Sequence, residues 1–141
     1  HKVAIFGGSN YNGQNVYYNV RGNGNGGPGR VAIAVTATDV VFSDFNGPTM
    51  TPGVWHLCEI HIVAGVNGRV EAKLDGRLLN LTFEAGNPAV PTNVNTGADI
   101  GYIKLDTTYN AYSYPSSLGL SMKTYFDTVA VGTGGWIGGA P

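Results

Sequence analysis

A few side chains in this sequence could together break an acidic polysaccharide by elimination. That reaction needs a group that neutralises a uronate carboxylate, a base that removes the neighbouring proton and an acid that protonates the leaving oxygen. Arg21 and Asn19 could neutralise the carboxylate, and His61 could act as the base. Tyr102 or Tyr109 could act as the acid. The set is chemically complete, but the same residue types also suit the polar outer face of a β-sheet.

Metal and disulfide chemistry have weaker support in the sequence. The three histidines, His1, His56 and His61, do not have the spacing of a zinc site, and His56 and His61 are predicted on opposite faces of one strand. Cys58 is the only cysteine, so the chain cannot form an internal disulfide. We expect Cys58 to be a small buried apolar side chain.

Composition and charge exclude several classes of partner. The 141 residues carry 8 basic and 9 acidic side chains, a net charge of −1, without a basic run. Nucleic acid is therefore not an expected partner, because binding its backbone requires clustered positive charge. A membrane is not expected either, because no apolar stretch approaches the roughly 20 residues of a spanning helix. The length predicts a single domain, 1–141. Because the chain begins with His1, we expect a processed product or a piece of a longer chain.

The elements that must position these residues are predicted to be strands. Short apolar or alternating runs are interrupted every eight to twelve residues by Gly, Asn, Asp or Pro, which is typical of an antiparallel β-sandwich. The predicted strands are Lys2–Phe6, Asn15–Arg21, Arg30–Ala37, Val40–Ser43, Val54–Ala64, Arg69–Asp75, Leu78–Phe83, Asp99–Asp106 and Met122–Val131. Trp136 follows in a glycine-rich segment that is too loose to order itself, and could pack on another subunit or complete the opening edge.

The centre of the chain allows a prediction of strand register. Asp75-Gly76 favours a two-residue type I′ turn, which pairs Leu74 with Arg77, Ala72 with Leu79 and Val70 with Leu81. The preceding turn contains Val66-Asn67-Gly68. A two-residue turn there would bring charged residues onto the apolar face, whereas a three-residue turn, with Gly68 left-handed, places Ile60 and Ile62 opposite Leu74 and Ala72. We expect the three-residue turn because it keeps the apolar side chains together.

This register gives the central strands a dry face and a mixed face. The dry face carries Cys58, Ile60, Ile62, Val70, Ala72, Leu74, Leu79 and Leu81, and the mixed face carries Trp55, Leu57, Glu59, His61, Glu71, Lys73 and Asn80. Other strands alternate in the same way. If the mixed faces line one sheet, aromatic rings lie beside hydrogen-bonding groups, which suits sugars. The predicted ligand-binding residues are Tyr17, Arg21, Trp55, Glu59, His61, Lys73 and Tyr102.

Several of these motifs resemble the concanavalin-A-like superfamily, which includes laminin-G-like and polysaccharide-lyase-like domains. The motifs are Gly53-Val54-Trp55-His56, the hairpin Gly68–Gly76, the closing run Tyr125–Val131 and the opening run His1–Gly8. The resemblance implies a jelly roll. Because such domains have more strands before the point where this chain begins, it also implies a fragment that lacks its first strands, or an opening edge that is made differently. In some jelly rolls an aspartate in the closing strand binds structural calcium, and Asp127 has that place. Because calcium takes six to eight oxygens, one carboxylate is not a site. Structural calcium is the one cofactor that the sequence suggests.

The resemblance also bears on catalysis. Glu59-Ile60-His61 and Tyr102–Asn110 are similar to two strand motifs of alginate and heparin lyases. Here Glu replaces the Gln of the first motif, the second motif is one residue longer and lacks its glycine, and the arginine-rich strand has no match. Glu59 and Glu71 share the mixed face, as a glycosidase would require, but the paired-acid strand of jelly-roll glucanases is absent.

Three functions therefore remain open at the level of the sequence. The first is non-catalytic recognition of a polysaccharide or other glycan, outside the cell or on the surface of a particle such as a virion. The second is a uronate lyase, and the third is a structural coat or decoration protein. Homo-oligomers are compatible with all three. A stacked aromatic groove would favour the first function, a His–Tyr–Arg cluster the second, and a large apolar surface near the ends of the chain the third.

Overall fold

Two antiparallel β-sheets make up the regular structure of the chain. A computed structural model describes residues 2–8, 16–21, 29–36, 38–105 and 125–137. Within these ranges the chain contains no helix. The strands of the described residues are β1 (Lys2–Gly7), β2 (Val16–Arg21), β3 (Gly29–Val35), β4 (Val40–Ser43), β5 (Thr49–Met50), β6 (Cys58–Val63), β7 (Arg69–Leu74), β8 (Arg77–Leu78), β9 (Thr82–Gly86) and β10 (Tyr102–Leu105).

The large sheet has the strand order β10-β1-β2-β3-β4-β9, with β5 paired to β3. The small sheet has the order β6-β7-β8. All strand pairs of the described residues are antiparallel. In the small sheet the neighbouring strands are also joined by short turns, which requires this direction. The predicted all-β class with two antiparallel sheets is confirmed.

The two sheets share one apolar core. Alternate side chains of the large sheet face inward, and the largest buried ones are Val16, Tyr18, Val31, Ile33, Val35, Val40 and Phe42. The small sheet contributes Val70, Ala72 and Leu74 to the same cluster. The side chain of Tyr18 reaches from the large sheet to the small one, and its hydroxyl donates to the carbonyl of Lys73 at 3.4 Å. Residues adjacent to these in each strand therefore point away from the core, on two opposite outer faces.

The predicted Asp75-Gly76 turn is confirmed. Leu74 lies opposite Arg77, and the N–H of Leu79 donates to the carbonyl of Ala72 at 2.9 Å. Asp75 and Gly76 have φ values of 52° and 77°, and both positive signs are what a type I′ turn requires.

The turn between β6 and β7 is longer than predicted. Val63 lies opposite Arg69, so the connection has five residues, 64–68, rather than three. Ile62 is opposite Val70, and Ile60 is opposite Ala72. Over β6 and β7 the dry and mixed faces are nevertheless as predicted, because a change of two residues preserves the alternation. Three other residues expected on the mixed face, Trp55, Leu57 and Asn80, lie outside the strands. The left-handed conformation expected at Gly68 is wrong. Gly68 is instead buried, where a Cβ would collide with Thr96 Oγ1 and the carbonyl oxygen of Val63.

Other predicted strand bounds need correction. The single strand expected over Leu78–Phe83 is divided, because the chain leaves the small sheet after β8 and joins the large sheet as β9. Val70 therefore does not pair with Leu81, and its N–H donates to the carbonyl of Pro91 instead. The strand expected over Val54–Ala64 begins only at Cys58. No strand forms over 125–131, and residues 122–124 lie outside the described part of the chain.

Candidate functional site

The outer face of the small sheet carries a group of charged side chains at its centre. His61 lies directly opposite Glu71, and Glu59 lies opposite Lys73. Nδ1 of His61 is 2.9 Å from Oε2 of Glu71, and Nε of Arg69 is 3.7 Å from the same oxygen. The period-two alternation that buries Ala72 and its dry-face neighbours directs these side chains outward.

Trp136 lies against this face. Its ring centroid is 4.2 Å from Nζ of Lys73 and 5.6 Å from the ring centroid of His61, with 55° between the two ring planes. The first contact is a cation–π interaction, in which the negative face of the indole attracts the ammonium group. We call this group the Trp136 site; its members are Glu59, His61, Arg69, Glu71, Lys73 and Trp136.

Sequence reasoning placed neither Arg69 nor Trp136 on the mixed face. The glycine-rich surroundings of Trp136 indicated a segment without order of its own, whereas in the structure its ring contacts Lys73 and His61. The signal that could have found it is the residue type itself. A single large ring among glycines has little to pack against locally, so it must find a surface elsewhere.

The outer face of the large sheet holds a second polar group, centred on Glu84. Oε1 of Glu84 accepts from Arg21 at 2.6 Å and from Arg30 at 3.1 Å, and Oε2 accepts from the hydroxyl of Ser43. The guanidinium of Arg30 also lies 4.8 Å from the ring centroid of Phe45. Burial acts to raise the pKa of Glu84, but the Ser43 hydrogen bond and the two guanidinium groups outweigh it and lower the pKa.

The remaining predicted residues of the large sheet lie on this same outer face. Tyr17 and Asn19 alternate with the core residues Val16 and Tyr18 along β2, although Asn19 is itself buried. Tyr102 lies opposite Gly7, and its ring occupies the space that a Cβ at Gly7 would need. Gly7 therefore allows this ring to lie flat against the sheet.

The structure thus divides the predicted ligand-binding residues between the two sheets. Glu59, His61 and Lys73 come together on the small sheet. Tyr17, Arg21 and Tyr102, together with Asn19, lie on the outer face of the large sheet. Trp55 is 68% exposed in the loop before β6. Tyr109 lies outside the described residues.

His56 and Asp75 form a separate pair that connects the residues before β6 to the β7–β8 turn by hydrogen bonds. Asp75 accepts from the N–H of Leu57 and from Nδ1 of His56, both at 2.8 Å. The N–H of Thr51 donates to Nε2 of His56 at 2.9 Å, so the ring proton must be on Nδ1. Burial acts to raise the pKa of Asp75, but these hydrogen bonds outweigh it and lower the pKa. The pair therefore connects the motif Trp55-His56 to the motif Asp75-Gly76, a contact that neither motif indicates by itself.

Metal ligands do not cluster in the part of the chain that the structure describes. No three side chains of the types His, Cys, Asp and Glu are grouped there. Asp127 is exposed, and its Oδ1 accepts from the hydroxyl of Thr128 at 3.3 Å. Within the same residues, no helix has the length and apolar character needed to span a bilayer.

Comparison with known proteins adds no relative to these observations. No family model matches the chain, and searches of curated proteins and of solved structures found no match.

Proposed function

We propose that this chain is a non-catalytic glycan-binding module and that it binds through the Trp136 site. The observation that carries the proposal is the Trp136 ring held against Lys73 and His61, beside the carboxylate of Glu71. The apolar face of a sugar ring stacks on an aromatic plane, and its hydroxyls need donors and acceptors at the edge of that plane. Lys73 and Arg69 supply donors, and Glu71 and Glu59 supply acceptors.

The fold belongs to the same proposal. We take the two sheets to be a jelly roll of the concanavalin-A-like kind, in a single domain that acts outside the cell or on a particle surface. Support comes from the motif Gly68–Gly76, which forms β7 and a type I′ turn, and from His56, which is hydrogen-bonded to the Asp75 of that motif.

The separation of the two outer faces favours binding over catalysis. The uronate-lyase set predicted from the sequence would need His61 and Arg21 to act on one sugar unit. His61 lies on the outer face of the small sheet and Arg21 on that of the large sheet, with the shared core between them. Packed sheets are about 10 Å apart, so side chains that point away from both cannot meet at one carboxylate.

A second candidate, a coat or decoration protein, is favoured by a different observation. The segment 125–137 exposes several large apolar side chains, among them Tyr125, Val129, Val131 and Ile137. Exposed apolar surface of this kind is typical of an interface with another protein.

A glycan array of neutral, sulfated and uronate-containing oligosaccharides tests the first function. We expect selective retention, and titration of a retained oligosaccharide should show Trp136→Ala binding more weakly by about 1 kcal/mol or more. Phe45→Ala is the matched control, because Phe45, in the turn after β4, also lies against a cation, but that cation is Arg30 of the large sheet. Its affinity should equal that of the original chain. No retention on the array, or equal losses in both variants, would overturn the proposal.

A further inference from the structure

The segment Tyr125–Val131 has the sequence of a strand but no strand partner within the described residues. It alternates Tyr125, Asp127, Val129 and Val131 on one side with Phe126, Thr128 and Ala130 on the other. Val129 is 58% exposed and Val131 is 69% exposed. β-branched and aromatic residues favour strands because they pack well on a pleated, half-buried surface. This segment has the side chains for such a surface, but they are exposed in the part of the chain that the structure describes.

The backbone of the segment is also held in an unfavourable conformation. Thr128 has a φ of 47°, and a β-branched residue rarely adopts that region. The other two non-glycine residues with positive φ in the described chain are Asp39 and Asp75, a residue type that tolerates it in turns. An extended conformation at Thr128 would remove this strain and make the whole segment a regular strand.

An edge of the small sheet offers the backbone partners that such a strand needs. β6 pairs with β7 on one side, and no described strand pairs with its other side. Its dry-face residues Cys58, Ile60 and Ile62 are only partly buried, although they pack against the core. An unpaired strand edge with apolar side chains beside it, as at β6, favours pairing with another strand.

We propose that Tyr125–Val131 pairs as an added strand with β6 of a second copy of this chain. Trp136 contacts Lys73 and His61 on the outer face of the small sheet, while neither the segment nor the β6 edge pairs with another strand among the described residues. In a dimer, the segment of each copy pairs with the β6 edge of the other copy. This reciprocal exchange gives both segments and both edges a strand partner, and the dimer has two-fold symmetry.

The register that we propose is antiparallel. Val131 opposite Ile60 and Val129 opposite Ile62 places apolar residues together on the dry face. Thr128 then lies opposite Val63, and Asp127 lies beyond the end of β6. In this register Thr128–Val131 lie opposite Ile60–Val63, and Tyr125–Asp127 extend beyond the end of β6. The exchange is independent of glycan binding, since it uses the edge of the sheet and not its outer face.

Oligomeric state tests the exchange first. We expect a dimer in sedimentation equilibrium. The double variant Val129→Asp/Val131→Asp should raise its dissociation constant at least tenfold and leave circular dichroism and thermal unfolding of the monomer unchanged, because both side chains are exposed in the single chain. Val66→Asp is the matched control, since Val66 is a 73% exposed valine in the β6–β7 turn. A monomeric original chain, or a dimer that survives the double variant, would overturn the proposal.

Disulfide trapping then identifies the partner strand. In a Cys58→Ser background, a mixture of Ile60→Cys chains with Val131→Cys chains should form a covalent heterodimer on oxidation. Val66→Cys mixed with Val131→Cys should not. The double variant Ile60→Cys/Val131→Cys should run as a covalent dimer on a non-reducing gel. A disulfide-bonded monomer would show that the segment pairs with β6 of its own chain, and would exclude the exchange.

Discussion

At the scale of single residues, Glu84 is the most constrained charged side chain of the described structure. One carboxylate receives hydrogen bonds from two guanidinium groups and a buried serine hydroxyl. Hydrogen bonds to a charged group contribute about 1.5–3 kcal/mol each to the folded state, more than bonds between neutral groups. The lowered pKa of Glu84 means that the folded state favours the ionised form of the carboxylate.

This ionisation makes stability depend on pH in a defined direction. A carboxyl whose pKa is lower in the folded state contributes stability above its unfolded pKa, and that contribution is lost as the pH falls through the folded pKa. We expect Glu84→Gln to lower the free energy of unfolding at pH 7 by about 1–3 kcal/mol. The variant should also lose less stability on acidification from about pH 5, near the onset of glutamate protonation, than the original chain does. Urea unfolding at several pH values measures both effects, and parallel pH profiles would contradict the assignment.

Residue type and alternation made part of the Trp136 site predictable. The apolar residues that alternate with His61 and Lys73 along their strands predict the face of these two side chains, because a strand side chain can lie on only one of two faces. The contact with Trp136 does not follow, because it joins residues that are more than sixty positions apart and no local pattern encodes it. The Arg21–Glu84 pair has the same character, with a sequence separation of 63.

At the scale of elements, side-chain direction was predictable and strand partnership was not. The alternation across 78–83 correctly buries Leu79 and Leu81, yet the chain changes sheets between them and β9. A buried side chain looks the same in sequence whichever sheet carries it. The five-residue β6–β7 turn was missed for a related reason: three and five residues give the same faces, so hydrophobic patterning cannot distinguish them.

The two glycines at the ends of β7 should respond differently to substitution. Gly76 needs its positive φ, but a Cβ there would meet nothing within 4 Å. We expect Gly76→Ala to cost about 1 kcal/mol, the usual cost of strain at such a turn. Gly68 is closely packed against Thr96 and the carbonyl of Val63. Gly68→Ala must move the backbone, so it should cost clearly more than Gly76→Ala. Thermal unfolding of the two variants side by side measures the order, and the reverse order would show that turn strain outweighs close packing.

At the scale of the whole molecule, the decisive feature is that one core separates two polar faces of different composition. The small sheet presents His61, Glu71 and Lys73 with Trp136, and the large sheet presents Arg21, Arg30 and Glu84 with Tyr17 and Tyr102. In the elimination, the carboxylate that is neutralised is attached to the carbon that loses its proton. The neutralising group and the base must therefore reach the same sugar unit. Here Arg21 is also already bonded to Glu84, so its charge is engaged within the protein.

We therefore expect the chain to release no unsaturated product from alginate or heparin, as measured by the ultraviolet absorbance of the conjugated uronate. Glycan retention on the array and absence of product together would identify a binding module. Product formation that disappears in His61→Ala and persists in Arg21→Ala would contradict this expectation and would show that the small-sheet face carries a complete catalytic set by itself. Loss of product in both variants would instead mean that the two faces meet on one substrate, which the packing of the sheets described here does not allow.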